Sequence, residues 1–398
     1  MVSEAAFTDV TTAVAELRAG RMIVVVDDED RENEGDLTLA AEFCTPEAIN
    51  FMAKYGRGLI CLTLTEENAD HLHLGPMTHE NTSRFGTAFT ESIEAREGVT
   101  TGISAADRAH TIQVAISPDS NPGDLARPGH VFPLRARKGG VLVRAGQTEA
   151  SVDLSRIAGL NPSGVICEIM NDDGTMARVP DLIGFCREHN LKMVTVAEVI
   201  RYRLQHERYV KAVGEALLPT QWGDFRMLSY ESEVEGDENH IALVYGDVSE
   251  TDEPVLVRVH THCLTGGIFG SELCDCRAVI DGSLKAIAEA GRGALLYLHH
   301  TQRGFGLDRD AGRLLLHRDD RTAERSREAH DGSEKSSSGR DQRILRQVGL
   351  GGQILSDLGI HKIILLTNHA THIPALQGFG VEIVGRRAIA DTGVTTNR

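Results

Sequence analysis

No run of apolar residues in this chain approaches the length of a membrane span. Its first residues show no basic stretch followed by an apolar core, so a cytoplasmic protein without a secretory leader is expected. Cysteine is sparse, seven in 398 residues, and lacks the spacing of a small disulfide scaffold. Positive charge is in deficit: 41 Lys and Arg face 58 Asp and Glu, a formal net charge of −17. A broad footprint for nucleic acid is therefore not expected, and an anionic substrate would need a local basic cluster or a metal. No internal repeat stands out. What is present is ordinary globular composition, 41% hydrophobic and 25% charged, over a length that suits two or three domains.

The most concentrated feature is Asp27-Asp28-Glu29-Asp30-Arg31-Glu32-Asn33-Glu34-Gly35-Asp36. It follows Met22-Ile23-Val24-Val25-Val26, a continuous apolar run that reads as a buried strand. Carboxylates this close repel one another unless a cation sits among them, and hard oxygens of this kind suit Mg²⁺. The alternative is a solvated acidic turn. Arg31 and Gly35, embedded in the run, favour substrate recognition and tight backbone geometry.

Along the chain, Thr8 or Asp9 caps a helix with Val10, Ala13, Val14 and Leu17 on one face, and Thr45-Pro46 opens another. Strands are expected at Gly58–Leu64, Gly140–Val143, Gly164–Met170 and Met193–Val196, with helices at Thr148–Ala158 and Ala197–Gln205. The basic stretch Arg201–Lys211 marks a boundary, dividing the chain into domains 1–207 and 208–398. Strands restart at Ile241–Tyr245, Val255–His260 and Ala294–Leu298, and again at Lys362–Leu366 and Val381–Val384. Residues 318–343 are nearly all charged or small and polar, the composition of a mobile insert. The fold class is therefore two mixed α/β domains in tandem, each a central sheet flanked by helices.

Three further stretches in the first half carry chemistry. Arg127-Pro128-Gly129-His130 places an imidazole after a Pro-Gly turn. Arg144-Ala145-Gly146-Gln147-Thr148 joins a strand to a helix and offers a phosphate cradle. Cys167-Glu168 sets a carboxylate in an apolar strand, where a general acid or base would lie. Each has a structural alternative: a packed histidine, an arginine paired with an acid, a salt-bridged glutamate.

Asp27–Asp36, Gly98–Arg108, Arg127–Pro133, Arg144–Ala150 and Gly164–Arg178, in that order, resemble 3,4-dihydroxy-2-butanone-4-phosphate synthase over about residues 5–207. The resemblance implies conversion of ribulose 5-phosphate to dihydroxybutanone phosphate and formate, with Mg²⁺ or Mn²⁺, by a homodimer whose sites draw on both subunits. It implies substrate contacts from Arg31, Glu32, Asp36, Cys61 and Thr101, and phosphate contacts from Arg144 and Thr148. His130 and Glu168 become the acid–base groups. The metal falls to Glu32 and position 147, where the family's Arg-x-Gly-His-Thr histidine is replaced by Gln147, itself a hard oxygen donor.

In the second half, Cys263, Cys274 and Cys276 form a Cys-x10-Cys-x-Cys array in a Gly-rich loop after a strand. Three thiolates with an open fourth position describe a catalytic zinc site. Arg258-Val259-His260, the cysteine loop, Arg303-Gly304, Gly349–Leu355 and Leu366-Thr367-Asn368 resemble GTP cyclohydrolase II. The resemblance implies a Zn²⁺ site on the three cysteines, a GTP-like site drawing on Arg258, His260, Arg303 and Thr367, and a catalytic arginine at Arg346. The family's Ser-Glu before the first cysteine is Thr261-His262, and its guanine-reading glutamine is Val279. The aspartate of its catalytic Asp-x-Arg-x-Tyr is Ile344, and its phosphate-holding lysine is His372. An apolar side chain cannot relay a proton, and a lost hydrogen bond to the base weakens its recognition.

The leading expectation is a synthase fused to a divergent cyclohydrolase domain of weak or absent activity. The alternatives are a protein active in both halves, and a non-catalytic or redirected paralogue that binds sugar phosphate or nucleotide.

Overall fold

The computed structural model describes residues 7–27, 31–83, 85–232, 239–249, 253–299, 305–308, 313–316, 349–368 and 380–389. The expected insert 318–343 lies outside the described residues. Two compact units are present, one up to Arg203 and one from Leu204 onward. Among the described residues no helix is long and apolar enough to cross a membrane.

The first unit opens with α1 (Val10–Arg18), whose cap is Asp9, accepting from the Thr12 N–H at 2.7 Å. Then follow β1 (Ile23–Val26), β2 (Gly35–Ala40), α2 (Pro46–Phe51), β3 (Cys61–Leu64), α3 (Glu66–His71) and β4 (Ile93–Ala95). The remainder is α4 (Ala105–Ile116), β5 (Leu125–Arg135), α5 (Gln147–Ile157), β6 (Ser163–Glu168), α6 (Val179–His189), β7 (Lys192–Thr195) and α7 (Val196–His206). The strands form one mixed sheet in the order β4-β5-β3-β6-β2-β1-β7. Strand alternation gives its two faces different jobs. Val24, Val26, Leu37, Leu62, Leu64, Val165 and Cys167 point to one side, into an apolar core with Ile49 of α2, Ile112 of α4 and Leu182 of α6. Helix α5 lies on the other side, where Ser151 Oγ meets Thr63 Oγ1 at 2.7 Å. Gly164 permits that approach, since a Cβ there would stand 2.9 Å from the Ser151 Cβ. Behind α5, Asp153 is buried and accepts from Arg203 Nη1 at 2.8 Å and from the Val141 N–H at 2.8 Å.

Two local readings are corrected. Gly140–Leu142 is a short 3-10 turn instead of a strand, because Gly139 and Gly140 take φ of +88° and +62°. His130 follows Pro128-Gly129 not in a turn between elements but in a bulge within β5, because the β4 pairing jumps from Ala126 to Val131 before Phe132–Arg135 pair with β3.

The second unit comprises β8 (Val210–Thr220), β9 (Gly223–Ser232), β10 (Asn239–Tyr245), β11 (Val255–Thr261), α8 (Cys276–Glu289) and β12 (Gly293–Leu298). It continues with the hairpin β13 (Phe305–Asp308) and β14 (Arg313–Leu316), helix α9 (349–357), β15 (Lys362–Leu366) and β16 (Glu382–Arg387). Its sheet runs β16-β15-β11-β12-β10-β9-β8. Val279, Leu284 and Ile287 of α8 pack with Leu243, Leu256 and Leu295 of the sheet. Both units thus have the expected fold class.

Candidate functional site

Register assembles the first site. Asp36 of β2 stands opposite Glu168 of β6, Cys61 of β3 opposite Ile166 of β6, and Phe132 of β5 opposite Cys61. Opposed residues share a face, and so do residues two apart in a strand, so Asp36, Glu168, Cys61 and His130 occupy the face that carries α5. Glu168 Oε2 accepts from the Leu59 N–H at 2.8 Å. Asp36 is buried, and its Oδ1 has no hydrogen-bond partner. Burial, followed by the charges of Glu168, Asp27, Glu32 and Glu34, holds the Asp36 carboxyl well above the usual carboxylate range. Burial and the nearby Glu168 charge likewise push the Cys61 thiol far up, so it is a neutral wall of the site.

Asp27, buried at the end of β1, shapes the acidic loop. Its Oδ1 accepts from the Glu34 N–H at 2.9 Å, and its Oδ2 from the Glu32 N–H at 3.3 Å and from Arg31 Nη1 at 2.6 Å. The same Arg31 nitrogen reaches Glu32 Oε2 at 3.1 Å and Gln147 Oε1 at 3.2 Å. Gln147 returns a hydrogen bond from Nε2 to the Glu34 carbonyl at 3.2 Å, fixing which way its amide points. Burial raises the Glu32 carboxyl, against the lowering effect of Arg31. Arg178 donates to the Glu32 and Asn33 carbonyls and closes the loop from the other side. Asp28, Glu29 and Asp30 lie outside the described residues.

The donor set fits a hard divalent cation: a carboxylate and an amide carbonyl converge on one point, at which a cationic nitrogen is held. Arg144, expected to cradle phosphate, is engaged by Glu149 Oε2 at 2.7 Å, a carboxylate of α5 that is almost fully buried. Thr148, in the first turn of α5, is buried, whereas Thr101 is exposed. His130 Nδ1 lies 2.9 Å from Glu94 Oε2. A carboxylate only accepts, so the imidazole donates from Nδ1 and keeps Nε2 as its other exchange site. Gly102 leaves the room that Glu94 needs: a Cβ there would fall 1.7 Å from Glu94 Oε1.

Glu94, Glu149 and Arg178 were given no site role from the sequence, and Asp27 was read only as one carboxylate of the acidic run. The only signals were a carboxylate ending the β1 run and a lone Glu between Ile93 and Ala95.

In the second unit, Cys263 follows β11 and Cys276 opens α8, and the tight turn Leu264–Ile268 brings their loop together. The three sulfurs lie within 4.8 Å of one another. Two thiolates about 2.3 Å from a tetrahedral ion stand about 3.8 Å apart, and Cys263 Sγ to Cys274 Sγ measures 3.8 Å. Burial works against ionisation of Cys263, but hydrogen bonds from the Gly266 N–H, Thr265 and the other two thiols bring it below the ordinary thiol value. Burial holds Cys274 and Cys276 above it. The trio fits zinc. His260 stacks on Tyr297 with ring centroids 5.8 Å apart, and His262 Nδ1 lies 3.0 Å from the Tyr297 hydroxyl. Arg258 donates to the Leu366 carbonyl at 3.0 Å, and the Thr367 N–H to the Arg387 carbonyl at 3.0 Å. Val279 of α8 is packed into the core. Arg303, Ile344, Arg346 and His372 lie outside the described residues.

Comparison with known proteins separates the halves by family. The model of 3,4-dihydroxy-2-butanone 4-phosphate synthase matches residues 11–202, and that of GTP cyclohydrolase II matches residues 210–388. A riboflavin biosynthesis protein RibBA of Aquifex aeolicus (strain VF5) is 54% identical over 383 residues, 96% of this chain and 92% of its own. The RibBA protein of Bacillus subtilis (strain 168) is 48% identical over 380 residues, 96% and 93% of the two chains. Among solved structures, RibBX from A. baumannii, described as a two-domain 3,4-dihydroxy-2-butanone 4-phosphate synthase, superposes with a TM-score of 0.74. It is 35% identical and covers 96% of this chain and 100% of its own. Identity at this level over almost the whole chain gives no support to a divergent second half. The chain accordingly belongs to the bifunctional riboflavin biosynthesis proteins, a lyase domain of the dihydroxybutanone phosphate synthase family joined to a domain of the GTP cyclohydrolase II family.

Proposed function

We propose that the first domain converts D-ribulose 5-phosphate to 3,4-dihydroxy-2-butanone 4-phosphate and formate, acting in a homodimer. The observation that carries this reading is the buried Asp36 carboxyl set opposite Glu168 on a sheet face that also bears Cys61 and His130. Enolising a ketose and rearranging its skeleton requires protons to move between neighbouring carbons and oxygens. Asp36, whose carboxyl burial raises above the usual range, holds a sugar hydroxyl; Glu168, held by the Leu59 N–H, takes a proton from carbon. His130, aimed by Glu94, serves the second proton transfer. Arg31 orients the sugar, with Thr101 and Cys61 along its flank. The N-terminal turn of α5, with Thr148 and Arg144, receives the phosphate. Glu32, with the Gln147 carbonyl beside it, would hold Mg²⁺ or Mn²⁺, which when bound offsets the negative charge developing on adjacent substrate oxygens.

For the second domain, the reading is a zinc centre on Cys263, Cys274 and Cys276 within a GTP-like site of Arg258, His260, Arg303 and Thr367. Its cyclohydrolase turnover through Arg346 is weak or absent. The support is local: Ile344 and Val279 stand where the family places a proton-relaying aspartate and a guanine-reading glutamine. A reading with both domains active is favoured by relatives named bifunctional, such as RIBA 1 of Arabidopsis thaliana, 46% identical over 96% of this chain and 68% of its own. Formate release from ribulose 5-phosphate with Mg²⁺, and separately from GTP with Zn²⁺, decides between them. Formate from the pentose alone is expected. Its absence sinks the first assignment, and rapid formate from GTP sinks the second.

A further inference from the structure

One nitrogen occupies the place where two expected metal ligands meet. Arg31 Nη1 lies 3.1 Å from Glu32 Oε2 and 3.2 Å from Gln147 Oε1, while holding Asp27 Oδ2 at 2.6 Å. These contacts place a cationic donor at the point between the two oxygens that a divalent cation would occupy. A guanidinium and a divalent ion at one point also repel each other strongly in a partly buried site. Arg31 has somewhere to go: Asp27 is fully buried and keeps one strong bond to it, and the Phe85 ring stands 5.8 Å from the guanidinium carbon. The Gln147 amide cannot simply turn away, because its Nε2 is bonded to the Glu34 carbonyl.

We infer that Arg31 is the resident counter-cation of this site, and that a divalent metal enters by exchange, displacing the guanidinium from Glu32 and Gln147 while Asp27 retains it. The inference rests on the assignment of Glu32 as the metal's carboxylate. It gives Asp27 a role of its own, as the anchor that keeps the arginine in the loop during exchange, and makes Arg31 a determinant of metal affinity as well as a substrate contact. The acidic loop thereby keeps a compensating charge in both states.

The test is Mn²⁺ binding to the zinc-loaded full chain, read by the loss of the free-ion electron paramagnetic resonance signal. Arg31→Gln is compared with Arg144→Gln. Both remove one positive charge that acts on Glu32, but only Arg31 touches the two oxygens. Exchange predicts that Arg31→Gln tightens Mn²⁺ binding about tenfold, equivalent to one charge-assisted hydrogen bond of about 1.4 kcal/mol, and Arg144→Gln about threefold or less. Equal tightening in the two variants, or weaker binding in Arg31→Gln, overturns the inference. Glu32→Gln checks the underlying assignment separately: unchanged Mn²⁺ binding there means that Glu32 is not the ligand. Should Arg31→Gln lose its cooperative unfolding transition, Arg31→Lys replaces it, keeping the charge without the fork. A Kd equal to that of the unsubstituted chain then overturns the exchange.

Discussion

Gly266→Ala offers a geometric test of the zinc assignment. A Cβ at Gly266 would lie 1.9 Å from Cys274 Sγ, 3.4 Å from the Cys276 Cβ and 3.5 Å from Cys263 Sγ. Ordinary contact begins near 3.4 Å, so the Cys274 sulfur must retreat by about 1.5 Å, whereas a zinc–sulfur bond tolerates about 0.2 Å. The loop has little room to give, because Cys263 Sγ accepts from the Gly266 N–H and the Gly267 N–H bonds the Cys263 carbonyl at 2.8 Å. Zinc in a closed four-ligand site is held by about 10–16 kcal/mol, so losing one thiolate costs about 3 kcal/mol, roughly a hundredfold in affinity. The neighbouring Gly267 provides the control. A Cβ there meets nothing nearer than the Tyr297 hydroxyl at 3.6 Å, and Gly267→Ala should keep its metal. The assay is zinc per chain after dialysis against a chelator, followed by competition with a chromogenic ligand. Formate release from ribulose 5-phosphate by the first domain should be unchanged in both variants. Full zinc retention by Gly266→Ala, or equal loss from Gly267→Ala, refutes the three-thiolate centre.

Two further outcomes are expected in the first domain. Asp36 has its folded pKa raised, chiefly by burial, so its stabilising contribution is complete below the ordinary value of 3.8 and is lost as pH rises through the raised value. Asp36→Asn removes that loss: by calorimetry it should gain about 1–2 kcal/mol at pH 8, about 2–8 °C in Tm, with little gain at pH 4 and no synthase activity. A gain that does not grow with pH contradicts this account. Glu94→Gln takes the charge from the partner of His130 Nδ1, and kcat for formate release should fall at least about tenfold with KM nearly unchanged. Unaltered kcat removes Glu94 from the site.

Much of this protein can be read locally. Four consecutive apolar residues, Ile23–Val26, form a strand with every side chain buried, and the acidic loop follows where the apolar run stops. Thr45 caps the helix that Pro46 opens, and the three cysteines meet because a short turn and a helix start separate them. These are consequences of side-chain chemistry within a few residues of one another. The errors came where the backbone took a conformation the side chains do not announce, as at Gly139 and Gly140.

Sequence by itself therefore determined the tandem α/β plan, the acidic loop and the cysteine trio, because propensity, capping and spacing are local properties. Only tertiary structure decided which carboxyl has its pKa raised by burial and which cation sits on which oxygen. Asp36 meets Glu168 through the β2–β6 register, and a slip of one residue would turn every side chain to the opposite face. Arg31 meets Gln147 across 116 residues, and Glu94 meets His130 across 36. Pairings at that separation are set by how strands and helices pack. The same acidic loop without α5 against it would be a solvated turn.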